Sequence, residues 1–288
     1  MRTFKDMHNL SLDNYAVAIG TFDGIHQGHR AVINATIKSG LKPAVFTFEF
    51  PPSGAKRIMT NSVKMRVLQS FGIETVISPD FDSVRNMSPE EFVGVFAKIG
   101  IKHIFCGYNF RFGKGASGDV SVLKALGEKF NIKVTAIEKV DNCSSSIVRS
   151  AIENGELKLA NVLMTVPFEY DFDVTHGAHI GSEIMNTPTI NQLWQDGIVV
   201  PKAGVYASKT LVGDEWCKSI TNIGITPTVK NNVLRSETHI YDFNGNLYGS
   251  SPRVRLFEFI RPERVFESED ALKAQIISDC KKIKNYHY

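Results

Sequence analysis

The sequence predicts an α/β chain in two parts: a parallel sheet covered by helices, then an antiparallel β-barrel closed by a terminal helix. Three observations predict it. In the first half, near-continuous apolar strands alternate with helical stretches, the pattern of parallel strands buried on both faces. Beyond about residue 164, strand-like pieces follow one another without long helices between them. The chain is 288 residues long, 43% hydrophobic and 22% charged, enough for two separate cores.

The strands of the first half are YAVAIG (15–20), PAVFTFEF (43–50), ETVISP (74–79), HIFCG (103–107) and NIKVTAIE (131–138). Helical stretches fall near 28–39, 61–71, 89–99, 119–129 and 145–154. The third carries its own start signal: Ser88 as N-cap, Pro89 at the first helical position and Glu91 three residues after the cap. The second half reads EYDFDVTH (169–176), AGVYASKTLV (203–212), EWCKSITNIG (215–224), SETHIYDF (236–243) and RVRLFEFI (253–260). Asn244-Gly245 is a turn signal between the last two. Ser268 caps a final helix with Leu272, Ile276 and Ile283 on its apolar stripe. The boundary is expected within 160–168, giving parts 1–164 and 165–288.

A net charge of +3 lacks the concentrated basic face of a duplex binder. The Lys281–Lys284 cluster reads as the last turn of a helix, complementing its dipole. Cys106, Cys143, Cys217 and Cys280 are scattered and form neither a disulfide framework nor a zinc ribbon, so a reducing cytoplasm is expected. The first residues carry no apolar signal core and no run approaches a membrane span.

The chemistry concentrates in GTFDGIHQGH, 20–29. A strand, a glycine-bearing turn and a helix together make an anion site, because the free N–H groups and the dipole of the helix start both favour phosphate. Gly20, Gly24 and Gly28 let backbone approach a ligand, and His26 and His29 would face the phosphates as donors. Taken alone, the residues leave two rivals: a zinc site, for which no third ligand stands at recognisable spacing, and two ordinary loop histidines.

This stretch resembles the HxGH signature of the nucleotidylyltransferase superfamily, and its longer form resembles that of bacterial FAD synthetases, which join an FMN adenylyltransferase domain to a riboflavin kinase domain. CGYNFRFGKGASGD (106–119) and SSSIVRSAIENGEL (144–157) look like adenylyltransferase motifs; PTIN (188–191), GVYA (204–207), NIGITPT (222–228), ETHIYDFNGNLYG (237–249) and FIRPERVF (259–266) look like riboflavin kinase. The resemblance implies a Rossmann-like nucleotidylyltransferase domain (1–164) and a riboflavin kinase barrel (165–288). The enzyme would make FAD from riboflavin with two ATP and Mg²⁺, acting on small molecules, without nucleic acid or membrane, as a monomer or weak oligomer in the cytoplasm.

Residue by residue, the resemblance makes His26, His29 and Arg149 catalytic in adenylyl transfer, Arg149 near the leaving pyrophosphate. Gly20, Phe22, Asp23, Gly24, Gly28, Asn109, Arg111, Gly113, Ser144, Ser145 and Ser146 would hold ATP or flavin. In the second part Glu237 would take the proton of the ribityl 5′-hydroxyl. Thr189 and Asn191, on one side of an extended segment, would meet Mg²⁺ carried by ATP. Asn222, Gly224 and Thr228 would bind ATP or flavin. Two segments depart from the family: TFEFPPS (47–53) has Pro51 where a histidine is usual, and GSEIMNT (181–187) has lost the arginine and the Gly-Phe pair of the kinase flap. The departures leave open an FMN adenylyltransferase without kinase activity. A third reading is a flavin-binding regulatory module without catalysis.

Overall fold

In the computed structural model, which describes residues 1–7, 10–175, 189–227 and 232–288, contacts divide the chain into two units. One holds 1–57 and 64–145, the other 58–63 and 146–288.

The first unit is built on a parallel sheet. Its elements are β1 (Arg2–Phe4), β2 (Tyr15–Ile19), α1 (Gln27–Ile37), β3 (Lys42–Phe46), α2 (Asn61–Ser70), β4 (Thr75–Ile77), α3 (Phe81–Val84), α4 (Pro89–Lys98), β5 (Ile101–Gly107), α5 (Val120–Lys129) and β6 (Lys133–Ile137). The strand order is β1-β4-β3-β2-β5-β6, all parallel. Every residue of β2 is buried, as a strand covered on both faces requires. The order turns at β2: β3 follows on one side and β5 lies on the other, so the carboxyl ends of β2 and β5 flank the crevice where open α/β sheets bind ligands. Phe46, Phe92 and Phe96 meet edge to face at 5.1–5.6 Å and anchor the core.

The start signal of α4 is realised in full. Ser88 Oγ accepts from the Glu91 N–H at 3.2 Å, and Glu91 Oε2 accepts from the Ser88 N–H at 2.7 Å. Ser88→Ala is expected to cost about 1 kcal/mol, read as a lower urea midpoint at unchanged slope. An unchanged midpoint would deny the capping box its role.

The second unit carries α6 (Ser145–Glu153), α7 (Leu157–Leu163), β7 (Glu169–Tyr170), β8 (Val174–Thr175), β9 (Thr189–Leu193), β10 (Gly204–Val212), β11 (Glu215–Pro227), β12 (Asn232–Ile240), β13 (Val254–Pro262) and α8 (Glu269–Lys284). The antiparallel sheet runs β7-β13-β10-β11-β12-β9-β8 and curls into a half-barrel. The expected strand 169–176 is broken in two, β7 and β8 lying on opposite edges of this sheet. Tyr170 and Phe172 point into the core between them, and Gln192 Nε2 holds the crossing segment at the Phe172 and Pro252 carbonyls. Asn244-Gly245 makes no tight hairpin, because β12 and β13 are not neighbours: β12 pairs with β11 and β9, β13 with β10 and β7.

Contacts place α7 with the barrel rather than with the parallel sheet. Asn161 on α7 donates to the Leu256 carbonyl at 2.8 Å and accepts from the Phe168 N–H at 2.8 Å, and Lys158 meets Glu258 at 2.9 Å. The contact division at 145/146 therefore lies earlier than the expected boundary at 164. Ser268 caps α8 by accepting from the Ala271 N–H, and Lys281, Lys282 and Lys284 fill its last turn.

Candidate active sites

At the end of β2 the chain makes a cramped left-handed turn. Phe22 (φ 47°), Gly24 (φ 79°) and Ile25 (φ 32°) all have positive φ, and Phe22 and Ile25 are fully buried. Left-handed backbone at bulky residues is costly, and buried packing holds it there. The turn delivers His26 as the N-cap of α1, its Nδ1 accepting from the His29 N–H at 3.4 Å. A cap that uses Nδ1 as acceptor leaves Nε2 to carry the proton.

His26 and His29, one turn apart, stack at 3.7 Å between ring centroids, and Phe22 closes on His29 edge to face at 5.2 Å. The intervening glycine is explained by space: a Cβ at Gly28 would stand 3.1 Å from the His26 ring. Among the described residues no three His, Cys, Asp or Glu side chains gather as a metal cluster.

Burial lowers both histidines. That of His26 falls to about 4; that of His29 falls well below the usual range, through burial first and then the nearby His26 and Lys64. Both are neutral at pH 7. For His26 the unfolded chain binds the extra proton between its ordinary 6.5 and about 4. The stability that neutral burial preserves is thus complete above pH 6.5 and is lost as pH falls toward 4. At about 1.4 kcal/mol per pH unit the ceiling is roughly 3 kcal/mol. Denaturant midpoints from pH 7.5 to 4.5 are expected to fall less in His26→Gln than in the parent. Parallel falls would remove His26 as a source.

A cavity of about 730 Å³ opens over this helix start. Gly20, Phe22, His26, Gly28, His29, Asn109, Arg111, Gly113, Ser144 and Ser145 line it together, as does Pro52 of the departing TFEFPPS segment. Asp23 is buried beneath, its carbonyl accepting from Ser145 Oγ at 3.0 Å. Asp23 and Gly24 do not line the cavity. Ser146 and Arg149 lie on α6 in the other unit. Sequence reasoning missed the aromatic part of the lining, made by Phe46, Phe48, Phe81, Phe92, Phe110 and Phe112. Its signal was the density of phenylalanine in TFEF and NFRF, which reads equally well as core.

In the second unit the register assembles the other set. Glu237 pairs with Asn222 on β11 and with Asn191 on β9, while Thr189 pairs with His239 and Gly224 with Arg235. Directly opposed residues share a face, so Thr189, Asn191, Asn222, Gly224 and Glu237 stand on one side of the sheet. Asn191 is 4% exposed and, among the described residues, its Oδ1 has no hydrogen-bond partner. Burial pushes the Glu237 carboxyl upward; Arg235 pulls it back, and Glu263 adds to the rise. Thr189 also lines a cavity of about 220 Å³ with Phe243, Asn246 and Tyr248. Thr228 and the GSEIMNT segment lie outside the described residues.

Comparison with known proteins matches both halves. The FAD synthetase family model covers residues 9–151 and the riboflavin kinase model residues 164–287. A bifunctional riboflavin kinase/FMN adenylyltransferase of Buchnera aphidicola is 33% identical over 99% of both chains. One from Listeria monocytogenes is 30% identical over 97% of this chain and 96% of its own. A solved Streptococcus pneumoniae structure described as a macrolide-efflux protein superposes with a TM-score of 0.89 at 26% identity, covering 99% of both chains. Among the described residues no helix is long and apolar enough to cross a membrane.

Proposed function

The chain belongs to the family of bifunctional riboflavin kinases/FMN adenylyltransferases, converting riboflavin to FMN and FMN to FAD, and from that premise we propose how its residues divide the two reactions. Residues 1–164 carry adenylyl transfer and 165–288 carry the kinase.

In the first reaction the ribityl 5′-hydroxyl oxygen attacks the γ-phosphorus of ATP, its proton passes to the Glu237 carboxylate, and ADP leaves. A carboxyl with a raised pKa is the stronger base for that proton once ionised. Asn191 Oδ1 and the Thr189 hydroxyl are neutral hard oxygens. The unpartnered, buried state of Asn191 Oδ1 fits Mg²⁺ that arrives with ATP. That ion would neutralise phosphate charge. The 220 Å³ cavity beside Thr189 receives part of the nucleotide, Asn222 and Gly224 complete the binding face, and Thr228 keeps its role in binding ATP or flavin on the sequence resemblance alone.

In the second reaction an FMN phosphate oxygen attacks the α-phosphorus of a second ATP, the bond to the β-phosphate bridging oxygen breaks, and pyrophosphate leaves. His26 and His29 donate to the phosphates as charge grows in the transition state. Ser144 and Ser145 serve the leaving pyrophosphate, a role that the sequence resemblance alone extends to Ser146 and Arg149, while Gly20, Phe22, Asp23, Gly24 and Gly28 shape the turn that carries the histidines. Asn109, Arg111 and Gly113 hold nucleotide, and the phenylalanine wall takes the flavin ring. The observation that carries this reading is one cavity lined by two neutral histidines at a helix start and by a group of aromatic rings.

The reading keeps the cytoplasm as compartment, in keeping with four cysteines that form no disulfide, and small molecules as partners, with a monomer or weak oligomer and neither nucleic acid nor membrane. The experiment is to supply riboflavin or FMN separately with ATP and resolve the products. FAD from FMN but no FMN from riboflavin would reduce the chain to an adenylyltransferase.

A further inference from the structure

Lys64, near the start of α2, is a deeply buried cation that neither reaction uses. It is 2% exposed. Burying an ammonium costs several kcal/mol unless something holds it, and an apolar side chain of the same length would pack there more cheaply. Its partners include two backbone carbonyls. Nζ donates to the Phe48 oxygen at 2.6 Å and to the Thr21 oxygen at 3.4 Å. Thr21 belongs to the turn between β2 and His26, Phe48 to the segment leaving β3, and both line the 730 Å³ cavity.

The same junction is tied twice more. Thr47 Oγ1 donates to the Thr21 oxygen at 2.7 Å, and the Gly20 N–H to the Phe46 oxygen at 3.1 Å. Phe48 in turn packs edge to face on Phe46 at 5.2 Å and on Phe81 at 5.3 Å. One ammonium therefore joins the turn that carries the histidines to the aromatic rings of the lining.

We propose that Lys64 is a positioning residue for adenylyl transfer: by holding the Thr21 and Phe48 carbonyls it fixes the distance between the histidine turn and the aromatic wall, and so the alignment of the attacking FMN phosphate with ATP. The inference rests on assigning adenylyl transfer to this cavity. Alignment is worth a great deal in such a step, since displacing reactants by about 1 Å costs on the order of a hundredfold in rate. This tie also lies against TFEFPPS, where the chain has Pro51 in place of the family's usual histidine.

The charge state supplies a second handle. Burial lowers the Lys64 pKa to about 8; Asp23 and Glu49 oppose the fall and Arg57 deepens it, while Lys64 itself helps to keep His29 neutral. Raising the pH through 8 thus discharges the ammonium and weakens both carbonyl bonds.

The test measures FAD formation from FMN and ATP across pH 6.5–9.5 in the parent, Lys64→Met and Lys64→Arg, with FMN formation from riboflavin as the internal control and His29→Ala alongside. Lys64→Met is expected to lose at least tenfold in kcat for FAD with a smaller change in KM for FMN, and to keep FMN formation within about twofold. The parent should lose FAD formation above pH 8, and Lys64→Arg, which does not titrate there, should recover part of kcat and abolish that alkaline limb. Should Lys64→Met fail to fold, the parent and Lys64→Arg profiles still decide. Parent-like FAD formation in Lys64→Met, or an alkaline limb that persists in Lys64→Arg, overturns the proposal. If His29→Ala nevertheless loses FAD formation, only the Lys64 inference falls; if His29→Ala keeps it, the site assignment falls first.

Discussion

His29→Ala is expected to cut FAD formation from FMN by about 10²- to 10³-fold, the usual loss when one transition-state donor is removed, and to leave FMN formation from riboflavin within about twofold of the parent. The asymmetry follows from placement. His29 stands in the first unit, stacked on His26 at 3.7 Å and lining the cavity with it. The residues assigned to the kinase share one face of a sheet in the second unit. Because the His29 backbone N–H, not its ring, serves the His26 cap, alanine keeps the start of α1 intact and removes only the imidazole. His29→Gln, which retains a side-chain donor, should fall between the two. The assay separates flavins after feeding FMN or riboflavin with ATP. Loss of both products in a folded His29→Ala protein would show that the two sites are not independent.

Much of this was legible because local signals and tertiary demands agreed. The apolar run of β2 announced a strand buried on both faces, and Ser88, Pro89 and Glu91 announced the start of α4. The spacing of HxGH carried its own geometry: two histidines one turn apart, with a glycine where a Cβ would press on the first ring. What the motif hid is that His26 is itself the N-cap, so that one histidine both completes the helix and faces the cavity.

The illegible parts are long-range. In the half-barrel, Ser208, Thr210, Ser219, Thr221 and Thr238 are fully buried and bonded hydroxyl to hydroxyl across strands at 2.8–2.9 Å. An alternation that sends polar residues outward misassigns the inner face here, since buried hydroxyls are tolerated once they pair with one another. The allegiance of α7 rests on Asn161, whose partners Leu256 and Phe168 include one 95 residues away. Lys64 reads as an ordinary helix-surface lysine until β2 and β3 are brought together around it.

Glu237→Gln is expected to remove FMN formation by about 10²- to 10⁴-fold, the span for losing a general base, while FAD formation from supplied FMN persists. Glutamine keeps the side chain's size and one acceptor oxygen, so the opposition to Asn222 and Asn191 across β11, β12 and β9 survives and only the proton acceptor is lost. The parent's pH profile should carry the same signature. The base works ionised, and burial, reinforced by Glu263, raises its carboxyl above the usual range against the pull of Arg235. FMN formation should therefore decline as pH falls through that raised value, at a higher pH than an exposed glutamate would set. Glu263→Gln, by removing one carboxylate, should move the decline to lower pH. A Glu237→Gln protein that still phosphorylates riboflavin, or an acid limb unmoved in Glu263→Gln, would place the base elsewhere on that face. The first outcome would point to His239: it pairs with Thr189, and burial lowers its pKa, so it too is neutral and able to accept a proton.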